Sequence, residues 1–241
     1  MTERCALVTG ASRGIGAEIS RRLASEGYAL TLAARQEPGL VAFADELRSA
    51  TGATIHTVTA NMAVEGDVLR LGAEHDQRFP RLDVLVLNAG VGTSGSIADL
   101  PLKAYDLTLG VNLRAAFILL QTTLPILRKT AALNPNRGAK VIALASIAGV
   151  HSEANLAAYA ASKAGLISLC ETFTLEEADN GVTATAVSPG LVATDMAAWA
   201  ELPAAEMIPT SDVAEIVMAL SRLSAGSAIP NIVISRRGKN L

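Results

Sequence analysis

The chain has 241 residues, half of them apolar and only 3% aromatic, with a net charge of −3 from 20 basic and 23 acidic residues. That length is enough for one domain with a sizeable core. Nearly balanced charge without long single-sign runs argues against a nucleic-acid surface or a charged scaffold. Cys5 and Cys170 lie far apart in apolar segments and read as buried free thiols, while His56, His75 and His151 lack the paired spacing of a zinc site, so no metal is expected. A strand-like run begins at Cys5, leaving no room for a leader, and no uninterrupted apolar stretch approaches the ~20 residues of a membrane span. The expectation is a soluble, cytoplasmic protein.

Strand and helix signals alternate along the chain. Residues 5–9 predict a buried strand, followed by a glycine-rich turn and a helix over 15–26. A strand over 29–34 precedes a helix near 40–49, and a strand over 54–60 precedes a helix over 68–78. Residues 82–87 predict the fourth strand, then a long helix over 105–128 interrupted near Gly110. A strand over 140–145, a long helix over 157–178, a strand over 182–187, a helix over 212–223 and a strand over 231–235 complete the pattern. Continuous apolar strands separated by amphipathic helices imply a mostly parallel sheet covered on both faces. The fold class is therefore α/β: a doubly wound, Rossmann-like, seven-stranded sheet in one domain. Residues 1–135 make up its cofactor half and residues 136–241 its catalytic half.

Thr9-Gly10-Ala11-Ser12-Arg13-Gly14-Ile15-Gly16 links the first strand to the first helix. Glycines there permit a tight turn and close approach of backbone to a pyrophosphate, which the helix N-terminus attracts. At the end of the second strand an NAD site would place a carboxylate for the ribose 2′-hydroxyl, but this chain has Ala34 and then Arg35. Arg35, with Arg13 as a second cation converging on the same place, suits a 2′-phosphate and so NADP(H) over NAD.

Tyr159 and Lys163 are four residues apart on a helix, so their side chains leave the same face. A phenol near pKa ~10 is a poor proton donor, and a neighbouring ammonium is expected to draw it down toward useful values. The pair suits a general acid/base for carbonyl–alcohol chemistry.

With these residues in hand the chain resembles the short-chain dehydrogenase/reductase family from about Arg4 to Asp195. The likeness rests on the turn Thr9–Gly16, on Asn88-Ala89-Gly90, on Asn112, on Ser146 standing 13 residues before Tyr159, and on Pro189-Gly190 with Thr194. It implies a catalytic set of Asn112, Ser146, Tyr159 and Lys163. In that set Ser146 steadies the developing alkoxide, Lys163 also bonds the nicotinamide ribose, and Asn112 holds a water linking Lys163 to solvent. Cofactor contacts are implied for Gly10, Ser12, Arg13, Gly14, Ile15, Gly16, Arg35, Asn61, Met62, Asn88, Ala89, Gly90, Tyr159, Lys163, Pro189, Gly190, Val192 and Thr194. Departures from the family are Asn61 where aspartate is frequent, Leu87 before Asn88, and an ending at 229–237 without Asp-Gly-Gly.

The expected activity is NADPH-dependent reduction of a small-molecule carbonyl, a ketone or 3-oxoacyl compound, in a pocket lined by Val91, Ser94, Ile147, His151, Leu191, Met196 and Trp199. Surplus apolar residues on the helices containing Asn112–Arg128 and Tyr159–Glu177 suggest a homodimer, with a homotetramer a further possibility. An NAD-dependent alcohol dehydrogenase, a dinucleotide-binding regulator without turnover and a nucleotide-sugar epimerase stay open as alternatives.

Overall fold

A computed structural model describes residues 3–238. Seven parallel strands form one sheet in the order β3-β2-β1-β4-β5-β6-β7. They are β1 (Arg4–Thr9), β2 (Tyr28–Ala34), β3 (Ile55–Thr59), β4 (Val84–Leu87), β5 (Ala139–Leu144), β6 (Val182–Pro189) and β7 (Asn231–Ile234). The helices are α1 (Gly14–Ser25), α2 (Glu37–Thr51), α3 (Glu65–Arg78), α4 (Leu102–Leu109), α5 (Ala115–Leu133), α6 (Ala157–Glu177) and α7 (Thr210–Ser221). Successive strand residues face opposite sides. Ala6 and Val8 of β1 accordingly pack with α1, α2 and α7, and Leu7 packs with α3, α5 and α6. Strand order reverses between β1 and β4, so their carboxyl ends open the crevice where doubly wound sheets bind ligands.

β4 is shorter than its apolar run. Its named strand starts at Val84, although the Asp83 amide still donates to the Cys5 carbonyl oxygen at 2.8 Å; the Asp83 carboxylate accepts from the Cys5 amide at 2.8 Å and pairs with Arg81, and the Leu82 amide donates to Thr130 Oγ1 at 2.8 Å. Between α4 and α5 lies a π-helical turn, Gly110–Arg114, the irregularity expected near Gly110. No contact demands glycine at that position: a Cβ there would meet nothing within 4 Å.

The continuous helical run 102–133 passes a looser test than the uninterrupted apolar stretch sought in the sequence. It is long and apolar enough by length and composition to cross a membrane, and half of its most apolar window is buried within the protein. One face lies on the sheet and α3, and the rest carries the apolar surplus described below.

Both cysteines are buried free thiols, and burial pushes each up to about 12. His75 on α3 is fully buried between two partners. Its Nε2 faces the Arg81 carbonyl oxygen at 3.1 Å, which can only accept, so Nε2 carries the proton and Nδ1 accepts from the Thr31 hydroxyl at 2.8 Å. Burial holds this imidazole down at about 4. Because the folded value lies below the unfolded 6.5, the unfolded chain takes up a proton first as pH falls, and stability is lost from pH 6.5 down to 4. The full loss is about 3 kcal/mol. Urea melts of His75→Asn between pH 7 and 4.5 should show a shallower fall in stability than wild type; identical slopes would place the acid sensitivity elsewhere.

Candidate active site

The glycine turn is built by close packing at the carboxyl ends of β1 and β4. Gly10 has φ +63°, a conformation that favours glycine, and a Cβ there would come within 2.9 Å of Asn88 Nδ2. A Cβ on Gly16 would collide with the Gly10 carbonyl oxygen. Asn88 locks the turn by donating through Nδ2 to the carbonyl oxygens of Thr9 at 2.9 Å and Gly10 at 3.0 Å. Thr9 returns the tie: its Oγ1 accepts from the Asn88 and Ala89 amides, each at 3.0 Å, and donates to the Val86 carbonyl at 3.3 Å. α1 then begins at Gly14 with no side-chain cap from Arg13, which leaves first-turn N–H groups and the positive helix end facing the crevice. That cradle fits a diphosphate.

Asn112 and Lys163 meet behind Gly90. The Asn112 side chain sits in the π-helical turn and is fully engaged. Oδ1 accepts from the Val91 amide at 2.8 Å, and Nδ2 donates to the Val91 carbonyl and to Ser162 Oγ, both at 3.0 Å. The amide of Asn112 is thus the clamp of the loop after β4. Ser162 passes the link on by donating to the Tyr159 carbonyl at 2.7 Å. Lys163 is buried, and its Nζ donates to the Leu144 carbonyl oxygen at 2.7 Å. A Cβ on Gly90 would lie 3.3 Å from Asn112 Oδ1 and 3.5 Å from Lys163 Nζ, so all three groups share one corner.

Tyr159 opens onto this corner from the first turn of α6, with Lys163 Nζ 5.7 Å from its ring centroid. The expected direction of its pKa is overturned. Burial raises the phenol, Ser146 beside it pulls it partly back, and the ammonium is not among the causes. Burial also pushes Lys163 down to about 8. The reason is dielectric and geometric: both groups lose water, and the ammonium is turned to a backbone carbonyl rather than to the phenol oxygen. Ser146 is buried at the end of β5, where its Oγ accepts from the Ala148 amide at 3.2 Å.

The remaining residues expected at the coenzyme site lie along the same sheet edge. Ser12 and Ile15 are half-buried in the turn, and Arg35 is exposed just beyond β2. Arg13 departs from the expected convergence with Arg35, because its Nη1 meets Asp195 Oδ2 at 2.9 Å instead. Asn61 Oδ1 accepts from the Ala63 amide at 3.1 Å, and Met62 packs inward, lining a cavity of about 10 Å³ with Thr9, Leu87 and Ala89. Pro189 ends β6, and the Gly190 amide donates to the Ile234 carbonyl at 2.8 Å. Val192 is buried in the core and pairs with Ile208. Thr194 Cγ2 lies 3.3 Å from where a Cβ on Gly14 would stand, which sets it against the glycine turn.

Among the expected pocket residues, Val91, Ile147 and Leu191 are half-buried, whereas Ser94, His151, Met196 and Trp199 are exposed. Three loops bring them to one rim, those after β4, β5 and β6. Met196 Cγ is 3.7 Å from a Cβ position on Gly92, and the Gly95 amide donates to the Asn155 carbonyl at 2.8 Å. The sequence reading missed Thr9, Ser162, the Leu144 carbonyl and Asp195. For Thr9 and Ser162 the only signal was adjacency to a motif, and the partner of Lys163 is backbone, which no residue type reveals.

A sequence model of the short chain dehydrogenase family matches residues 4–203. The chain is 34% identical over 194 residues to the 3-oxoacyl-(acyl-carrier-protein) reductase FabG of Staphylococcus epidermidis, a match that covers 80% of this chain and 77% of that protein. The alcohol dehydrogenase of the archaeon Thermococcus sibiricus, complexed with 5-hydroxy-NADP, superposes with a TM-score of 0.89 at 26% identity over 99% of this chain and 98% of its own. Pseudomonas aeruginosa RhlG in complex with NADP does so with a TM-score of 0.87 at 28% identity, over 96% and 94%.

Thr9→Val should strand the Asn88 and Ala89 amides and cost about 2 kcal/mol by urea denaturation, while Thr9→Ser stays near wild type. Equal stability of the two variants would show that the hydroxyl does not hold the turn.

Proposed function

This chain belongs to the short-chain dehydrogenase/reductase family, and on that footing we propose that it is an NADP(H)-dependent oxidoreductase interconverting a neutral carbonyl compound and its secondary alcohol. The observation that carries the reading is the corner where Tyr159, Ser146 and Lys163 meet at the carboxyl edge of the sheet, with β4 between it and the strand that leads into the glycine turn. The bound nicotinamide supplies the hydride in reduction and accepts it in oxidation. Gly10, Gly14 and Gly16 with the N-terminus of α1 would hold its diphosphate, and Arg35, the lack of a carboxylate at the very end of β2 and the NADP complexes of similar structures support a 2′-phosphate.

The proton is the protein's part. Tyr159 would give its hydroxyl proton to the carbonyl oxygen, and Ser146 would donate a second hydrogen bond to the same oxygen as negative charge develops. Burial keeps the phenol protonated through neutral pH, which is the form reduction needs. Lys163 would keep its charge up to about pH 8 and resupply the tyrosine side of the corner. An apolar rim with few fixed charges supports a ketone or a 3-oxoacyl compound, the second in keeping with the FabG relative, in a cytoplasmic enzyme.

Self-association belongs to the same proposal. α5, α6 and the π-helical turn leave an apolar groove of about 480 Å³ lined by Leu109, Leu113, Phe117 and Leu169 among others, with Phe117 53% exposed. A second copy packing the same two helices would cover it about a two-fold axis.

Tyr159→Phe should keep NADPH binding by fluorescence and lose more than about 95% of turnover; appreciable residual activity would point to another proton donor. Reduction by wild type should hold level from pH 6 to 8 and decline above as Lys163 loses its charge, while alcohol oxidation climbs with pH because it releases a proton. Matching profiles for both directions would contradict that assignment. Phe117→Glu should give a monomer by light scattering, and an unchanged mass would remove these helices from the interface.

A further inference from the structure

Arg13 stands at the N-cap of α1 and is the cation of the glycine turn, yet it is already paired. Its Nη1 lies 2.9 Å from Asp195 Oδ2, joining residues 182 apart in sequence, and both side chains are 76% exposed. Asp195 opens a short 3-10 segment, Asp195–Ala200, that carries Met196 and Trp199. That segment crosses the crevice. Thr194 sits against Gly14 at one end, and Met196 reaches the loop after β4 at Gly92 on the other. The carboxylate therefore bridges the coenzyme turn to the segment over the substrate rim.

We propose that Asp195 is a coenzyme-specificity residue: it holds Arg13 as a counter-ion, so that a 2′-phosphate must take the arginine from it while a coenzyme lacking that phosphate need not. This rests on the NADP(H) reading. An exposed ion pair made through one N···O contact contributes little and is screened by salt, so the exchange is easy. A phosphate carries nearly two charges and three acceptor oxygens against the carboxylate's one charge, and a guanidinium is well shaped for either. The phosphate wins the arginine, but Asp195 taxes the exchange twice. It offers a competing partner, and once displaced it leaves an unpaired negative charge near the phosphates. Neither effect touches NADH, with which Arg13 keeps its partner. The exchange also frees Asp195, so that an NADPH-bound enzyme holds the Met196–Trp199 segment by one tie fewer than an NADH-bound one.

The test is a double-mutant cycle read by equilibrium fluorescence titration with NADPH and with NADH, at low and moderate salt. Asp195→Asn keeps size and polarity at an exposed position and should fold normally. It should tighten NADPH about threefold to tenfold at low salt, with a smaller gain as salt rises, and leave NADH within about twofold. Arg13→Ala should weaken NADPH selectively, and in that background Asp195→Asn should lose most of its effect on NADPH. Equal changes for the two coenzymes, an NADPH affinity that falls, or full additivity in the cycle would overturn the proposal. Failure of the coenzyme reading looks different: there, Arg13→Ala and Arg35→Ala would both leave the NADPH-to-NADH ratio where wild type has it.

Discussion

A buried ammonium is costly unless hydrogen-bonded, and the corner at the carboxyl end of β5 is arranged around one. Lys163 Nζ reaches the Leu144 carbonyl oxygen at 2.7 Å, at the end of β5. Room for it depends on residues that hold back: Gly90 has no side chain to fill the corner, and Asn112 turns its amide to Val91 and Ser162. A Cβ on Gly149 would lie 2.7 Å from the Lys163 carbonyl carbon, so the turn after β5 packs directly on the α6 backbone. Among the described residues no buried side-chain polar atom lacks a partner, a condition that keeps each buried polar group in one orientation.

The same tight packing joins the two halves of the chemistry. β1 and β4 are neighbours at the reversal of strand order, and Thr9 and Asn88 bind the ends of those two strands into one unit. On one side of that unit lies the cradle for an anion, and on the other the clamp of Asn112 on Val91 leads through Ser162 to Tyr159. In the proposed reaction a hydride donor held by its diphosphate and a proton donor on α6 would thereby face the same small volume. Rigid placement of two reacting partners is worth several kcal/mol of barrier. The rim formed by Met196 and Trp199 is by contrast exposed.

Much of the fold was legible because a parallel sheet buried on both faces writes itself as apolar runs. The strands over 29–34 and 231–235 were located to within a residue or so, and the interruption at Gly110 proved to be the π-helical turn. What escaped was whatever depends on the third dimension. Nothing in the run Leu82-Asp83 says that Asp83 will be claimed by Cys5 and Arg81. Residue types placed Tyr159 and Lys163 on one helical face, but the direction of the phenol's pKa depends on burial, and the ammonium's aim depends on a backbone carbonyl. Arg13 read as a free cation because Asp195, 182 residues away, is invisible to any local window.

The most direct measurement is the fall in absorbance of NADPH and of NADH, in parallel, against a panel of neutral ketones, quinones and 3-oxoacyl thioesters. NADPH should be oxidised with at least one neutral ketone or 3-oxoacyl compound, at a kcat/KM well above that for NADH, with one alcohol formed per coenzyme consumed. Tight binding of NADPH with no oxidation across the whole panel would contradict a reductase and leave a dinucleotide-binding protein in its place.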